Sequence, residues 1–210
     1  IGSRSTTAND GAFAGYVDDV RLYTSALSAD SILALYRNPA LTQSVGISNS
    51  YLPIAATTSA VAPLARLSLD GSAADEKGAL TPATGLGAVQ YSSSVYRVGS
   101  QSAFFNQTAG VAPSVYLNYT LPAVLNKPPA LTMACWVYPT AYPNISTLSA
   151  VCTCNIASPD SGSPIIYLTY GGGVVFTYID SVLGYRDTIS AVTIPNNTWS
   201  HIVGTIVNGT

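Results

Sequence analysis

Apolar and polar residues alternate in short segments along most of the chain from residue 64 onward. A period of two residues is typical of strands that bury one face, and turn residues such as Gly, Pro, Asn and Asp separate the segments here. No apolar period of helical length occurs in this region, so the pattern predicts an all-β, antiparallel β-sandwich. The predicted strands are 64–69, 89–94, 103–106, 115–121, 131–138, 148–155, 165–170, 174–179, 190–194 and 200–207.

The first forty residues predict one strand and one short helix. Alternation within residues 12–24 indicates a strand. A helix over about 28–37 follows, because Ser28 suits the N-cap, Asp30 complements the helix dipole in the first turn, and Asn38-Pro39 ends the apolar face. Residues 39–63 contain three prolines, many small residues and no charge, which is the composition of an extended linker.

Composition excludes several classes of partner. Only 9% of the 210 residues are charged, the net charge is −2 and no run of Lys or Arg occurs. Nucleic acid and anionic membrane surfaces therefore have no basic patch to bind. No apolar stretch approaches the roughly 18 residues of a membrane helix.

The second half of the chain contains five Asn-x-Ser/Thr sequons, at Asn106, Asn118, Asn144, Asn196 and Asn208. Any one of them is explained equally well as a polar turn or a solvent-facing strand position, but five together favour a secreted glycoprotein that carries N-linked glycans. We expect an extracellular location, at a cell surface or in a fibre. Glycans or lateral partners would also cover a surface that has few charges.

The chain has three cysteines, so one thiol would remain after a disulfide forms within the chain in an oxidising compartment. Cys152 and Cys154 lie two residues apart in a predicted strand, where both side chains point to one face, so they are poor partners for each other. We expect Cys135 to pair with Cys152 or with Cys154, and the remaining thiol to pair outside this segment. Three buried, unpaired residues are the alternative.

Two regions resemble one known family. Residues 13–23, F-A-G-Y-V-D-D-V-R-L-Y, and 26–36, A-L-S-A-D-S-I-L-A-L-Y, resemble the closing motif of laminin-G-like, concanavalin-A-like lectin jelly rolls. Four further segments resemble the opening strands of the same family: L-S-L-D-G-S-A-A-D-E-K-G at 67–78, S-Q-S-A-F-F at 100–105, L-T-M-A-C-W-V-Y-P at 131–139 and W-S-H-I-V-G-T at 199–205. The resemblance implies a jelly-roll sandwich and covers nearly everything except residues 39–63.

The order of these motifs is reversed, because the closing strand precedes the opening strands. Either the chain is a window across a tandem array, or residues 1–38 complete a jelly roll whose other strands lie in 64–210, which lacks its own last strands. We favour the second geometry in an intermolecular form, in which 1–38 is donated to a neighbouring copy and head-to-tail contacts build a filament. Folding back onto the same chain is the alternative.

Candidate chemistry is sparse. His201 is the single histidine and lies in an alternating strand, and the ten acidic residues show no spacing that presents two carboxylates on one strand face. We expect no catalytic residues and no enzyme.

Calcium is the candidate ion, at Asp18, Asp19, Asp70 and Asp75, which the resemblance places at acidic loop positions of related jelly rolls. The alternative is that these carboxylates cap turns and bind loop amides. Among the 14 tyrosines, the best candidates for stacking on sugars lie near strand ends, at Tyr138, Tyr142, Tyr178 and Tyr185.

These observations lead to two functional hypotheses. The first is a non-catalytic structural subunit of an extracellular glycoprotein fibre or surface array, with copies of itself as partners. The second is a secreted carbohydrate-binding or adhesion module that depends on calcium.

Overall fold

The computed structural model describes residues 1–2, 11–37, 61–82, 88–109, 114–125, 128–153, 164–180 and 184–207. These residues form twelve strands and one α-helix: β1 (Gly15–Tyr23), α1 (Ala29–Arg37), β2 (Ala65–Leu67), β3 (Thr81–Pro82), β4 (Gln90–Ser92), β5 (Ser102–Phe105), β6 (Tyr119–Thr120), β7 (Ala130–Pro139), β8 (Ser149–Thr153), β9 (Ile165–Leu168), β10 (Val174–Asp180), β11 (Gly184–Ile189) and β12 (Ser200–Val207).

Two antiparallel sheets enclose the main core. One has the order β12-β7-β1-β5-β4, with β2 also paired to β1, and the other has the order β11-β10-β9-β8. Side chains from both sheets, including Val17, Met133 and Val137 from the first and Val151 and Leu168 from the second, belong to one buried cluster. The predicted all-β jelly-roll sandwich with one short helix is confirmed, and a β3-β6 ribbon is added to it.

Helix α1 follows its predicted signals. It begins beside Ser28, whose side-chain oxygen accepts a hydrogen bond from the Ser31 N–H at 3.3 Å, and Arg37 lies in its last turn. None of its residues is buried. The helix therefore covers the outside of the sandwich and adds little to the core.

One predicted strand is wrong. Residues 190–194 form no strand, and the strand of this region is β11, which pairs with β10. The reason is that β11 is a sheet edge with exposed polar residues such as Arg186 and Asp187. Such an edge strand needs no alternation of apolar residues, whereas Val192 lies in an exposed loop.

Strand β1 lies in the middle of the six-stranded sheet. It pairs with β7 along one side and with β5 and then β2 along the other, antiparallel in every case. In this structure the strand that we expected to be donated to a neighbour therefore completes the jelly roll of its own chain. The donated form remains a proposal, since an exchanged strand makes the same contacts in another copy. Most of the predicted linker, residues 39–60 of 39–63, lies outside the described residues.

A β-bulge at Asp19 controls which side chains of β1 enter the core. Asp19 has φ of 48°, and the register to β7 shifts between Asp18 and Arg21. The extra residue resets the alternation of the strand. Val17 and Val20 consequently both belong to the core cluster.

Asp19 also joins two buried arginines. Its carboxylate accepts hydrogen bonds from Arg21 Nε at 3.0 Å and from Arg66 Nε at 2.8 Å, and Arg66 reaches Glu76 at 2.9 Å. The side chains of Asp19, Arg21 and Arg66 are at most 7% exposed. Because β1 and β2 each contribute an arginine, this ion-pair cluster joins the N-terminal segment to the rest of the sheet.

The predicted disulfide between Cys135 and Cys152 is not formed, and both residues are buried free thiols. They lie on β7 and β8, one in each sheet, and both belong to the core cluster. Burial raises the pKa of each thiol. The alternative pairing involves Cys154, which lies outside the described residues.

We expect Asp19→Asn to lower the free energy of unfolding by about 3–5 kcal/mol, because two buried guanidinium groups lose their shared carboxylate. Asn tolerates a positive φ and keeps the volume of the side chain, so the substitution isolates the charge. Urea unfolding measures the effect. Asp187→Asn on exposed β11 is the matched control, and an equal loss in both variants would contradict the role of the cluster.

Candidate functional site

The outer face of the six-stranded sheet carries the candidate site. On β7, Leu131, Met133, Cys135 and Val137 point into the core, so the alternate residues face outward. Four aromatic side chains form a row across the outer face at one end of four neighbouring strands. We call Phe104, Tyr16, Tyr138 and Trp199 the aromatic row.

Cross-strand register builds this row. Tyr16 on β1 lies directly opposite Phe104 on β5 and Tyr138 on β7, and Trp199 precedes β12. The rings of Tyr16 and Phe104 stack with centroids 4.4 Å apart. Tyr138 contacts Tyr16 edge-on at 5.6 Å and Trp199 at 5.5 Å.

All four rings are half-buried. Three inter-strand spacings of about 4.8 Å give the row a length of about 14 Å. The rings stand against one another, so their edges and the two ends of the row are what a ligand would meet. The row is therefore an uncharged, amphipathic surface.

A second cluster lies one pleat further along the same face, around Trp136. This side chain is 2% exposed; Tyr36 of α1 stacks on it at 5.4 Å and Arg97 lies over it at 4.4 Å. His201 lies opposite on β12 at 4.9 Å, and Asp18 lies opposite on β1. Helix α1 is thus held against the sheet by a ring contact.

Asp18 is a buried carboxyl with one unpartnered oxygen. Its Oδ2 accepts hydrogen bonds from the backbone N–H groups of Arg97 at 2.8 Å and Val98 at 2.9 Å, whereas Oδ1 has no partner. Burial raises the pKa of Asp18 to about 6, against the opposing effect of the two amides.

His201 is held neutral by its surroundings. Burial lowers the pKa of its imidazole to about 4, although the charge of Asp19 acts in the opposite direction. A group with this pKa is a weak base at neutral pH. Among the described residues, no hydrogen bond joins the ring to a nucleophile.

The four acidic residues expected to bind calcium have hydrogen-bond or ion-pair partners within the chain. Both oxygens of Asp75 accept backbone hydrogen bonds, from Arg66 and Lys77 at one and from Ala79 and Leu80 at the other. Asp70 accepts the Ser100 hydroxyl and N–H, which lower its pKa.

Asp18 and Asp19 are also engaged, with loop amides and with arginines. Over the described part of the chain, no three His, Cys, Asp or Glu side chains are grouped as metal ligands. These hydrogen bonds favour the alternative, in which the carboxylates cap turns and bind loop amides, while calcium binding stays a prediction.

The tyrosines expected to contact sugars have different roles. Tyr138 lies in the aromatic row, but the Tyr142 hydroxyl donates to the Ile194 carbonyl at 2.5 Å and Tyr178 packs on the core. The side chain of Tyr185 lies outside the described residues. Tyr16, Phe104 and Trp199 were missed because alternation reveals the face of each residue, whereas the register that places them side by side depends on strand pairing.

The predicted glycosylation sites differ in exposure. Asn106, Asn118 and Asn144 are exposed, and Asn196 is half-buried with an unpartnered buried Oδ1. Asn208 lies outside the described residues.

We expect Asp18 and His201 to give opposite pH dependences of stability. The raised pKa of Asp18 stabilises the fold below its unfolded value of 3.8, and this stability is lost as pH rises through about 6. The lowered pKa of His201 gives stability above 6.5 that is lost as pH falls through about 4. The two slopes oppose each other between about pH 4 and 6.

Asp18→Asn should therefore lose stability on acidification from pH 6.5 to 4 relative to the unsubstituted chain. His201→Gln should lose it as pH rises from 4 to 6, with limiting slopes of about 1.4 kcal/mol per pH unit. Urea unfolding at half-unit pH steps measures both. Curves that run parallel to that of the unsubstituted chain would contradict the assignment.

Comparison with known proteins gives a match to one family model. No curated protein and no solved structure matches the chain. The laminin-G family model described as the concanavalin A-like lectin/glucanases superfamily matches residues 113–210, which include β6 to β12. The described residues of the chain include no helix of the length and apolarity that a membrane span requires. The part of the jelly roll from β6 to β12 is therefore similar to the laminin-G-like, concanavalin A-like lectin/glucanase superfamily.

Proposed function

We propose that the chain is a non-catalytic structural module of an extracellular glycoprotein fibre or surface array, joined to further copies through its N-terminal strand. The observation that carries this proposal is the position of β1. This strand lies in the middle of the sheet, whereas residues 38–60 separate it in sequence from the other strands.

The remaining strands cannot form this sheet without β1. Removing it leaves the hydrogen-bonding edges of β7, β5 and β2 unpaired in the middle of the sheet. Unpaired edges are strong templates for a strand from another chain. Either the chain's own segment or that of a neighbour must occupy this position.

The length of the predicted linker would allow β1 to pair within its own chain or with a neighbouring copy. Residues 39–63 carry no charge and three prolines, and 25 extended residues at roughly 3.1 Å each span about 75 Å. A strand donated in this way makes a head-to-tail contact that does not close on itself, so it propagates into a filament. Few surface charges and five sequons suit a glycan-covered assembly.

A cysteine pair tests the exchange directly. Tyr16 and Tyr138 lie opposite each other on β1 and β7, at a separation that suits a disulfide. In Tyr16→Cys/Tyr138→Cys we expect oxidation to give a ladder of covalent oligomers on a non-reducing gel, because the strand of one copy is bonded to the sheet of the next. Negative-stain microscopy should show filaments in the same sample.

The single variant Tyr16→Cys is the control and should give no ladder. A double variant that forms its disulfide and remains a monomer at all concentrations would show that the strand stays in its own chain, and it would exclude assembly by exchange.

Carbohydrate binding is the second candidate function, and the aromatic row favours it. Half-buried rings in an uncharged row offer ring edges, the two open ends of the row and hydroxyl groups together, as sugar surfaces require. This function fits the family and needs no exchange of strands.

For this function we expect Tyr138→Ala and Trp199→Ala each to weaken binding to glycan arrays at least tenfold, with calcium chelation leaving binding unchanged because the acidic residues are engaged by the chain. Tyr96→Ala is the matched control, since Tyr96 is exposed and outside the row. Binding that survives both row substitutions would exclude the row as the sugar site.

A further inference from the structure

Three of the five sequons have an aromatic residue two positions before their asparagine. Phe104 precedes Asn106 by two residues, Tyr116 precedes Asn118, and Tyr142 precedes Asn144. Because aromatic residues make up 10% of the chain, one such placement among five sequons would be ordinary and three are not.

Each of these pairs lies at or beside a strand end: Phe104 is in β5 and Asn106 follows it, Tyr116 and Asn118 precede β6, and Tyr142 and Asn144 follow β7. Side chains two residues apart in a strand point to the same side, about 6.6 Å apart along the chain. All three asparagines are exposed and all three rings are half-buried. Each pair thus combines an exposed attachment site with a ring that the protein partly covers, two residues earlier in the chain.

The surroundings hold the rings in place. Phe104 stacks on Tyr16 and Asn106 follows the end of β5, where the Gln107 N–H donates to the Phe105 carbonyl at 3.1 Å. Tyr142 is anchored through its hydroxyl to Ile194. A fixed ring loses little conformational entropy when a ligand covers it.

We propose that the first sugars of the chain's own N-linked glycans pack against the rings of Phe104, Tyr116 and Tyr142. One face of an N-acetylglucosamine residue presents C–H groups, and covering an aromatic ring with that face removes apolar area from water. The occupant is attached to the same chain, so the contact costs no association entropy. The inference rests on glycosylation and holds for a fibre module and for a binding module alike.

The other sequons lack this arrangement. Ile194 and Ile206 stand two residues before Asn196 and Asn208, and Asn196 is half-buried. At the aromatic row, a glycan on Asn106 would cover the Phe104 end and leave the Tyr138 and Trp199 end open. The chain's own glycans and an external sugar would therefore use different ends of one surface.

A double-mutant cycle on the full chain, expressed in glycosylating cells, tests the proposal. We expect Asn106→Gln to lower the Tm by about 2–4 °C, and by less than half as much when Phe104 is already replaced by Leu. Peptide mass spectrometry should show lower glycan occupancy at Asn106 in Phe104→Leu, with occupancy at Asn196 unchanged as an internal control.

The cycle Tyr116→Leu with Asn118→Gln repeats the test away from the aromatic row, in case Phe104→Leu fails to fold. Tyr96→Leu, on a tyrosine that belongs to no sequon, should leave the effect of Asn106→Gln intact. Additive Tm shifts at an occupied Asn106 or Asn118, or asparagines that carry no glycan in the unsubstituted chain, would overturn the proposal.

Discussion

The two-sided pairing of β1 is the constraint on which the rest of the structure depends. Buried backbone N–H and C=O groups must be hydrogen-bonded, and β1 satisfies those of β7 on one side and of β5 and β2 on the other. The core side chains and the ion-pair cluster take their places from this pairing. A segment that lies far from the other strands in sequence therefore determines whether the sandwich closes.

The bulge at Asp19 divides the outer face of the sheet into two regions. On one side of it, Asp19 and its two arginines are buried as a satisfied ionic cluster that fastens strands together. On the other side, the aromatic row carries no charge and is partly open to solvent. Buried charge is costly unless it is paired, so the ionic region serves the fold, and the aromatic region is the surface that remains for a ligand or glycan.

Local signals were read correctly wherever neighbours along the chain decide the structure. Ser28 starts α1 as its N-cap, and the alternation in residues 131–138 matches β7. Contacts made by distant residues were not predictable. The family resemblance assigns Asp18, Asp70 and Asp75 to calcium, which stays a prediction, and in the structure an oxygen of each accepts a backbone N–H, from Val98, Ser100 and Leu80 respectively. Strand β11 was missed because an exposed edge strand has no apolar pattern to detect.

The amino-acid sequence by itself determined the all-β class, the family resemblance, the short helix and the positions of the sequons, because each depends on periodicity or on residues adjacent in the chain. Only the tertiary structure decided that Tyr16, Phe104, Tyr138 and Trp199 form one row, that Cys135 and Cys152 are buried free thiols, and that Asp19 joins two arginines. The physical reason is that strand register and sheet order are set by pairing between segments far apart in the chain, and this pairing leaves no local pattern in the sequence.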